Sequence, residues 1–178
     1  MGCGTGFISR KLVDKNEVYG VDVLSESLKC AKEAGIRVKR WDVRKGLPYR
    51  SEMFDIVLAT EILEHVFDTD ALLSEIWRVL KKGGILVVSV PNVCSLKSRI
   101  NVVLGGLPSY VEYHCRKGTA GHIRGYNLPA IKSQLEEHGF RIEEVRTNAI
   151  CFGGLFVPWR RRIFAWRDNN RQREEGRQ

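Results

Sequence analysis

Three glycines at alternate positions, Gly2, Gly4 and Gly6, followed at once by Phe7-Ile8, constrain this chain more than any other stretch. Glycine is the residue for backbone that takes positive φ or comes close to a ligand. Met1 to Gly6 therefore reads as a tight turn opening into a helix over 7–13. Such a turn normally follows a buried β-strand, and here only Met1 precedes it. The expectation is a chain that starts at a misassigned start or a cut edge, so that its sheet lacks the first strand.

Downstream the pattern alternates between strand and helix. Glu17 to Asp22 is a short strand ending in an acid; Ser25 starts a helix that Gly35 stops, with Leu28 and Ala31 facing inward. Residues 36–41 alternate apolar and basic and end at Asp42. Residues 54–59 read as a buried strand. Asp68 or Thr69 caps a helix over 70–80 whose apolar face is Leu72, Leu73, Ile76, Val79 and Leu80. The most apolar strand, 85–90, closes at Pro91-Asn92. Helices over 95–104 and 128–138 follow, the second capped by Asn127, and then a strand over 140–145. The stretch 109–126 has no clear period and reads as a loop over a site. After Val145 no final antiparallel strand is apparent. Residues 155–166 read as a last helix packing its aromatics on the sheet, with an interfacial membrane helix as the alternative; the chain is polar and disordered from about Asp168.

This alternation predicts an α/β fold with a doubly wound, mostly parallel sheet. The domain boundaries are 1–150 for the sheet domain and 151–178 for an aromatic and basic C-terminal segment. The net charge of +8 invites a nucleic-acid reading, but from Trp159 onward seven Arg stand against three acids, so about half of the excess lies in the tail. A solvated basic terminus is the plainer account, and nucleic acid is disfavoured as a partner. Five scattered cysteines without C-x-x-C spacing fit reduced thiols and a cytoplasmic setting.

In open α/β sheets ligands bind beyond the carboxyl ends of the strands. The glycine turn, Asp22, Asp42, Ala59 to Glu61 and Pro91-Asn92 all follow strands and so point to one edge. Asp22 can accept two hydrogen bonds from a ribose diol, and Asp42 can accept from an exocyclic amine such as that of adenine. A nucleoside is implied. The spacing G-x-G-x-G, rather than G-x-G-x-x-G, weakens the case for a dinucleotide and hence for an NAD(P)-dependent oxidoreductase.

At these residues the chain resembles the class I S-adenosylmethionine-dependent methyltransferases, within them the type 11 small-molecule group. The resemblance rests on Gly2 to Gly6, the strand ending at Asp22, Asp42, Phe54-Asp55-Ile56-Val57, Glu61 to Val66, Glu75 to Gly84, Pro91-Asn92, Gly121 to Arg124 and His138-Gly139-Phe140, in order from residue 1 to about 145. It implies a Rossmann-like methyltransferase fold with S-adenosyl-L-methionine as cofactor. It also implies roles: Gly2, Cys3, Gly4, Thr5 and Gly6 along the methionine part and ribose, Asp22 on the ribose hydroxyls with Val23 against the adenine, Asp42 and Val43 at the adenine edge, and Ala59 and Thr60 beside the transferring methyl. In the family the glycine turn follows an acid two residues before the first glycine, a position this chain lacks.

The implied reaction is in-line displacement at the sulfonium methyl by a small-molecule acceptor. Alignment supplies most of the rate, and a protonated oxygen or nitrogen acceptor also needs a base. Glu61, His65 and His122 are the catalytic candidates, with His114 beside them. Glu61-x-x-Glu64-His65 with His122 is compatible with a divalent metal, as in some relatives, but Glu64 and His65 also suit capping and packing of a short turn, and no metal ligand is assigned. Thr60 to Leu63 stands where a base-methylating enzyme carries an N-P-P-Y-type sequence, which argues against a nucleic-acid base as acceptor. The alternative is a methyltransferase-like remnant with an interaction role. Contact with a membrane surface is conceivable through the C-terminal segment; the acceptor and oligomeric state are open.

Overall fold

The structure is a computed structural model that describes residues 1–147 apart from 112–120, and the backbone of 161–167. The chain divides into two compact units, Met1–Tyr49 and Arg50–Gln178.

The first unit is built on two parallel strands, β1 (Tyr19–Asp22) and β2 (Arg37–Arg40), in register from Tyr19 opposite Arg37 to Asp22 opposite Arg40. Helix α1 (Ser25–Glu33) joins them. Leu28 and Ala31, three apart and so on one face, are buried with Val21 and Ile36. The helix expected over 7–13 is only a 3-10 turn, Ser9–Leu12. Its apolar residues Phe7, Ile8 and Leu12 are exposed. A short helix is marginal without a buried face to stabilise it, so one turn forms and no more.

In the second unit four strands run β3 (Phe54–Thr60), β4 (Leu80–Val90), β6 (Arg161–Arg167), β5 (Phe140–Thr147). The β3–β4 pair is parallel; β6 is antiparallel to both β4 and β5. Among the described residues this unit has the helices α2 (Thr69–Val79), α3 (Leu96–Val103) and α4 (Leu128–Glu137). Asp68 and Asn127 cap α2 and α4 through side-chain oxygens that accept from Ala71 N–H and Ala130 N–H, each at 2.9 Å. Leu72, Leu73, Ile76 and Val79 of α2, Leu80, Leu86 and Val88 of β4, and Ile131 and Leu135 of α4 are buried. The Trp77 ring meets Phe140 edge-on at 5.2 Å.

Two expectations are corrected here. A final antiparallel strand does exist after Val145, and it is β6, drawn from the stretch read as a helix. Its backbone pairs on both edges, Val88 opposite Ile163 and Val145 opposite Ile163 among the partners, a long-range arrangement that local pattern does not encode. The other correction concerns β3, read as a buried strand: it is the edge strand of its sheet, and Asp55 and Ile56 are exposed. His114, residues 148–160 and the tail beyond Arg167 lie outside the described residues. No described helix is long and apolar enough to cross a membrane.

Candidate active site

In the first unit the glycine turn is held to the end of β1. Gly2, Gly4 and Gly6 all have positive φ, at 55°, 50° and 77°. Cys3 N–H donates to Val21 C=O at 3.0 Å, and Gly4 N–H donates to Asp22 Oδ2 at 2.8 Å. The other carboxylate oxygen, Oδ1, accepts from Leu24 N–H at 3.0 Å. Asp22 thus ties the turn, the strand end and the start of α1 together, and each of its oxygens keeps further acceptor capacity. The glycines differ in what they need. A Cβ on Gly4 would meet no other heavy atom within 4 Å, whereas one on Gly6 would stand 2.5 Å from Ile36 Cδ1 and 3.3 Å from the Ala31 backbone. Gly6 is required for packing, and Gly4 leaves its backbone face open to a ligand.

Asp42 follows β2, whose end is joined to that of β1 by Trp41 N–H donating to Asp22 C=O at 2.9 Å. The Asp42 carboxylate caps the short turn Val43–Lys45 and is engaged side-on by the Arg44 guanidinium, with Nη2 to Oδ2 at 2.7 Å and Nε to Oδ1 at 2.9 Å. The Arg44 side-chain bonds, helped by the Arg44 N–H, hold its pKa down to about 2. An exocyclic amine would have to share this carboxylate with Arg44. Val43 is buried and Val23 is exposed.

In the second unit Ala59 is fully buried near the end of β3, and Thr60 lies opposite Ser89 in register. The next residue, Glu61, has φ of 53°, a conformation that costs a non-glycine residue about 1–2 kcal/mol. Its N–H donates to Ser89 C=O at 2.9 Å, and Ser89 Oγ donates to Glu61 Oε1 at 2.8 Å. The strained residue is thus fastened at both ends to one buried serine. Ser89 was not singled out from sequence, although it is the one polar residue in the 85–90 run.

The two candidate histidines are brought together. His65 and His122 are 57 positions apart, yet their ring centroids lie 4.9 Å from each other. The segment 121–126 runs beside the turn Leu63–His65: Ile123 N–H donates to Glu64 C=O at 2.9 Å, and Arg124 Nη2 donates to Phe67 C=O at 2.7 Å. His65 Nδ1 is 3.2 Å from Gly121 C=O, and His122 Nδ1 is 3.3 Å from Tyr110 C=O. A carbonyl only accepts, so each Nδ1 carries the proton, and in the neutral rings each Nε2 keeps its lone pair. Glu64, buried to 1% exposure, completes a cluster with these two rings in which the ligating atoms all lie within 4.8 Å of one another. Glu61 is not in this cluster. From sequence Glu64 was seen as one element of E-x-x-E-H, and the spacing did not show that it, rather than Glu61, sits with the histidines.

The family model described as "Methyltransferase domain" matches residues 1–88. Residues 1–88 thus carry a methyltransferase domain, and the chain is similar to S-adenosylmethionine-dependent methyltransferases. The "Ubiquinone biosynthesis O-methyltransferase" of Azorhizobium caulinodans is 30% identical over 169 residues, covering 90% of this chain and 64% of that protein. The mitochondrial protein of the same name from Mus musculus is 26% identical, covering 82% of this chain and 41% of its own length. The chain thus spans about two fifths to just under two thirds of the length of these relatives. Among solved structures, a methyltransferase from Thermotoga maritima described as a possible histamine N-methyltransferase superposes with a TM-score of 0.71 at 23% identity, over 94% of this chain and 80% of that one. These neighbours establish the Rossmann-like methyltransferase fold and with it the expected α/β class.

Proposed function

We propose that this methyltransferase binds S-adenosyl-L-methionine at its glycine turn and methylates an oxygen of a small-molecule acceptor. The observation that carries the reading is the Asp22 clamp: a strand-end carboxylate holds the Gly4 amide while keeping acceptor capacity for a ribose diol, beside a backbone face on Gly4 that nothing fills. When bound, the cofactor supplies a methyl group already activated by its sulfonium. The protein's part is to position and to manage one proton. Gly2 to Gly6, Asp22 with Val23, and Asp42 with Val43 are the groups for the nucleoside. His65 and His122 each offer an Nε2 lone pair that can take the acceptor's hydroxyl proton as the oxygen is methylated, with Nδ1–H held by a carbonyl in each ring. Oxygen as the methylated atom is supported by the names of the ubiquinone-biosynthesis relatives.

The Glu64, His65 and His122 cluster favours a second reading of the same site, in which a divalent cation is held there and lowers the pKa of the acceptor hydroxyl. One buried carboxylate and two imidazole nitrogens suit such an ion.

Calorimetry with S-adenosylmethionine and S-adenosylhomocysteine tests the core of the proposal. Micromolar affinity for both is the expected result. No heat at millimolar ligand would leave a methyltransferase-like remnant with an interaction role.

A further inference from the structure

Helix α3 is turned inside out. Its one buried residue is Ser98, at 1% exposure, whereas Leu96 and Ile100 are each 51% exposed, Val103 85% and Leu104, the next residue, 79%. Ser98 explains the orientation. Its Oγ lies 3.0 Å from Ser95 Oγ and accepts the Ser109 N–H at 3.0 Å, so the polar side of the helix is fastened to the loop that returns beneath it. At ~100° per residue, Leu96, Ile100, Val103 and Leu104 fall in one arc of about 100°, with Lys97 at one border and Arg99 at the other. Both cations are exposed, and no Asp or Glu occurs anywhere from 76 to 111. Tyr110 and Val111, beyond the loop, are also exposed, and the Tyr110 carbonyl is the one that meets His122.

A contiguous apolar stripe on a soluble surface marks an interaction site. The bordering charge selects the partner: cations on both flanks with no acid between them suit a lipid surface bearing negative headgroups, where the Lys and Arg stems lie along the acyl boundary and their heads reach phosphate. We propose that the 96–104 face is a peripheral membrane-docking surface for anionic phospholipid, with the axis of α3 in the plane of the interface. The inference does not rest on the proposed reaction. It is distinct from the alternative of membrane contact through residues 155–166, of which 161–166 are part of strand β6.

The test is co-sedimentation of the full chain with phosphatidylglycerol–phosphatidylcholine vesicles and with pure phosphatidylcholine vesicles. The parent is compared with Ile100→Glu/Leu104→Glu and with Lys97→Glu/Arg99→Glu, all of them exposed positions, with melting curves as the check on folding. Binding to the anionic vesicles is expected to fall about tenfold or more in the apolar double variant, and in the charge-reversed variant to fall and to lose its dependence on salt. Three outcomes would overturn the proposal: no binding by the parent, equal binding by parent and variants, which assigns the affinity to the basic tail, or a concentration-dependent dimer abolished by Ile100→Glu/Leu104→Glu without vesicle binding, which gives the face to a second copy of the chain.

Discussion

Asp22 reaches back 18 residues to accept the Gly4 amide at 2.8 Å, so the strand-end carboxylate and the glycine turn are one structural object. A carboxylate that organises a loop and keeps lone pairs for a ligand serves both tasks only while it is ionised and in place. Asp22→Ala leaves the Gly4 and Leu24 amides without their acceptor and is expected to cost about 2 kcal/mol in urea unfolding. Affinity for S-adenosylhomocysteine should fall more than tenfold. Asp22→Asn, which keeps one oxygen acceptor, should lose less stability than affinity. Equal affinity in parent and Asp22→Ala would remove Asp22 from the cofactor site.

Gly4 and Gly6 separate conformational from packing demands. Gly4→Ala meets only the positive φ, a penalty of about 1–2 kcal/mol. Gly6→Ala adds the 2.5 Å approach to Ile36 Cδ1 and is expected to cost about 3 kcal/mol or more in total. In the double variant Gly6→Ala/Ile36→Val part of the loss should return, because the clashing methyl is gone while the φ penalty stays. Thermal unfolding of the set checks the order. Gly4→Ala should show the larger loss of cofactor affinity relative to its loss of stability.

The histidine pair distinguishes a base from a metal site. With a cation at the cluster, Mn²⁺ should broaden the ring signals of His65 and His122 in NMR spectra. Glu64→Gln should then weaken that binding about tenfold or more, since a carboxylate ligand is lost. With the histidines acting alone, chelator leaves turnover unchanged, and His122→Ala lowers kcat about 10²–10⁴-fold.

Asp42 yields a pH prediction. Its folded pKa is about 2, below the ~3.9 of an unfolded Asp. Such a group contributes stability that is fully present above the unfolded value and is lost as pH falls through the folded one. The pair with Arg44 should therefore support the first unit at neutral pH, and its contribution should fade between about pH 4 and pH 2. In Arg44→Ala the Asp42 carboxyl should titrate in the ordinary range, and that part of the acid dependence should disappear. Carbonyl-carbon chemical shifts of Asp42 follow both.

Much of this was legible in the sequence where the signal is local. The α2 cap at Asp68, the buried face of Leu72, Leu73, Ile76 and Val79, and the acid at the end of β1 need only periodicity and residue type. What was not legible depends on distant pairing. β6 carries no alternation in Arg-Arg-Ile-Phe-Ala-Trp-Arg, and an interior strand has no need of it; its identity comes from β4 and β5 together. The failed helix over 7–13 had the apolar spacing but no surface to bury it against. At the histidines, sequence supplied the residue types, while the choice of Glu64 over Glu61 was made by a strained backbone that turns Glu61 toward Ser89.

The place of β6 has a consequence for how the molecule is made. β4 and β5 do not touch as neighbours; each reaches the other only through a strand that begins 71 residues after Val90. During synthesis the parallel β3–β4 pair and α2 can assemble early, but β5 emerges with no partner waiting for it. Half of the four-stranded sheet therefore stays open until residues 161–167 arrive, and closing it demands long-range contacts of the slow kind. Closure of the four-stranded sheet thus waits on a segment far along the chain from the β3–β4 pair that forms its other half.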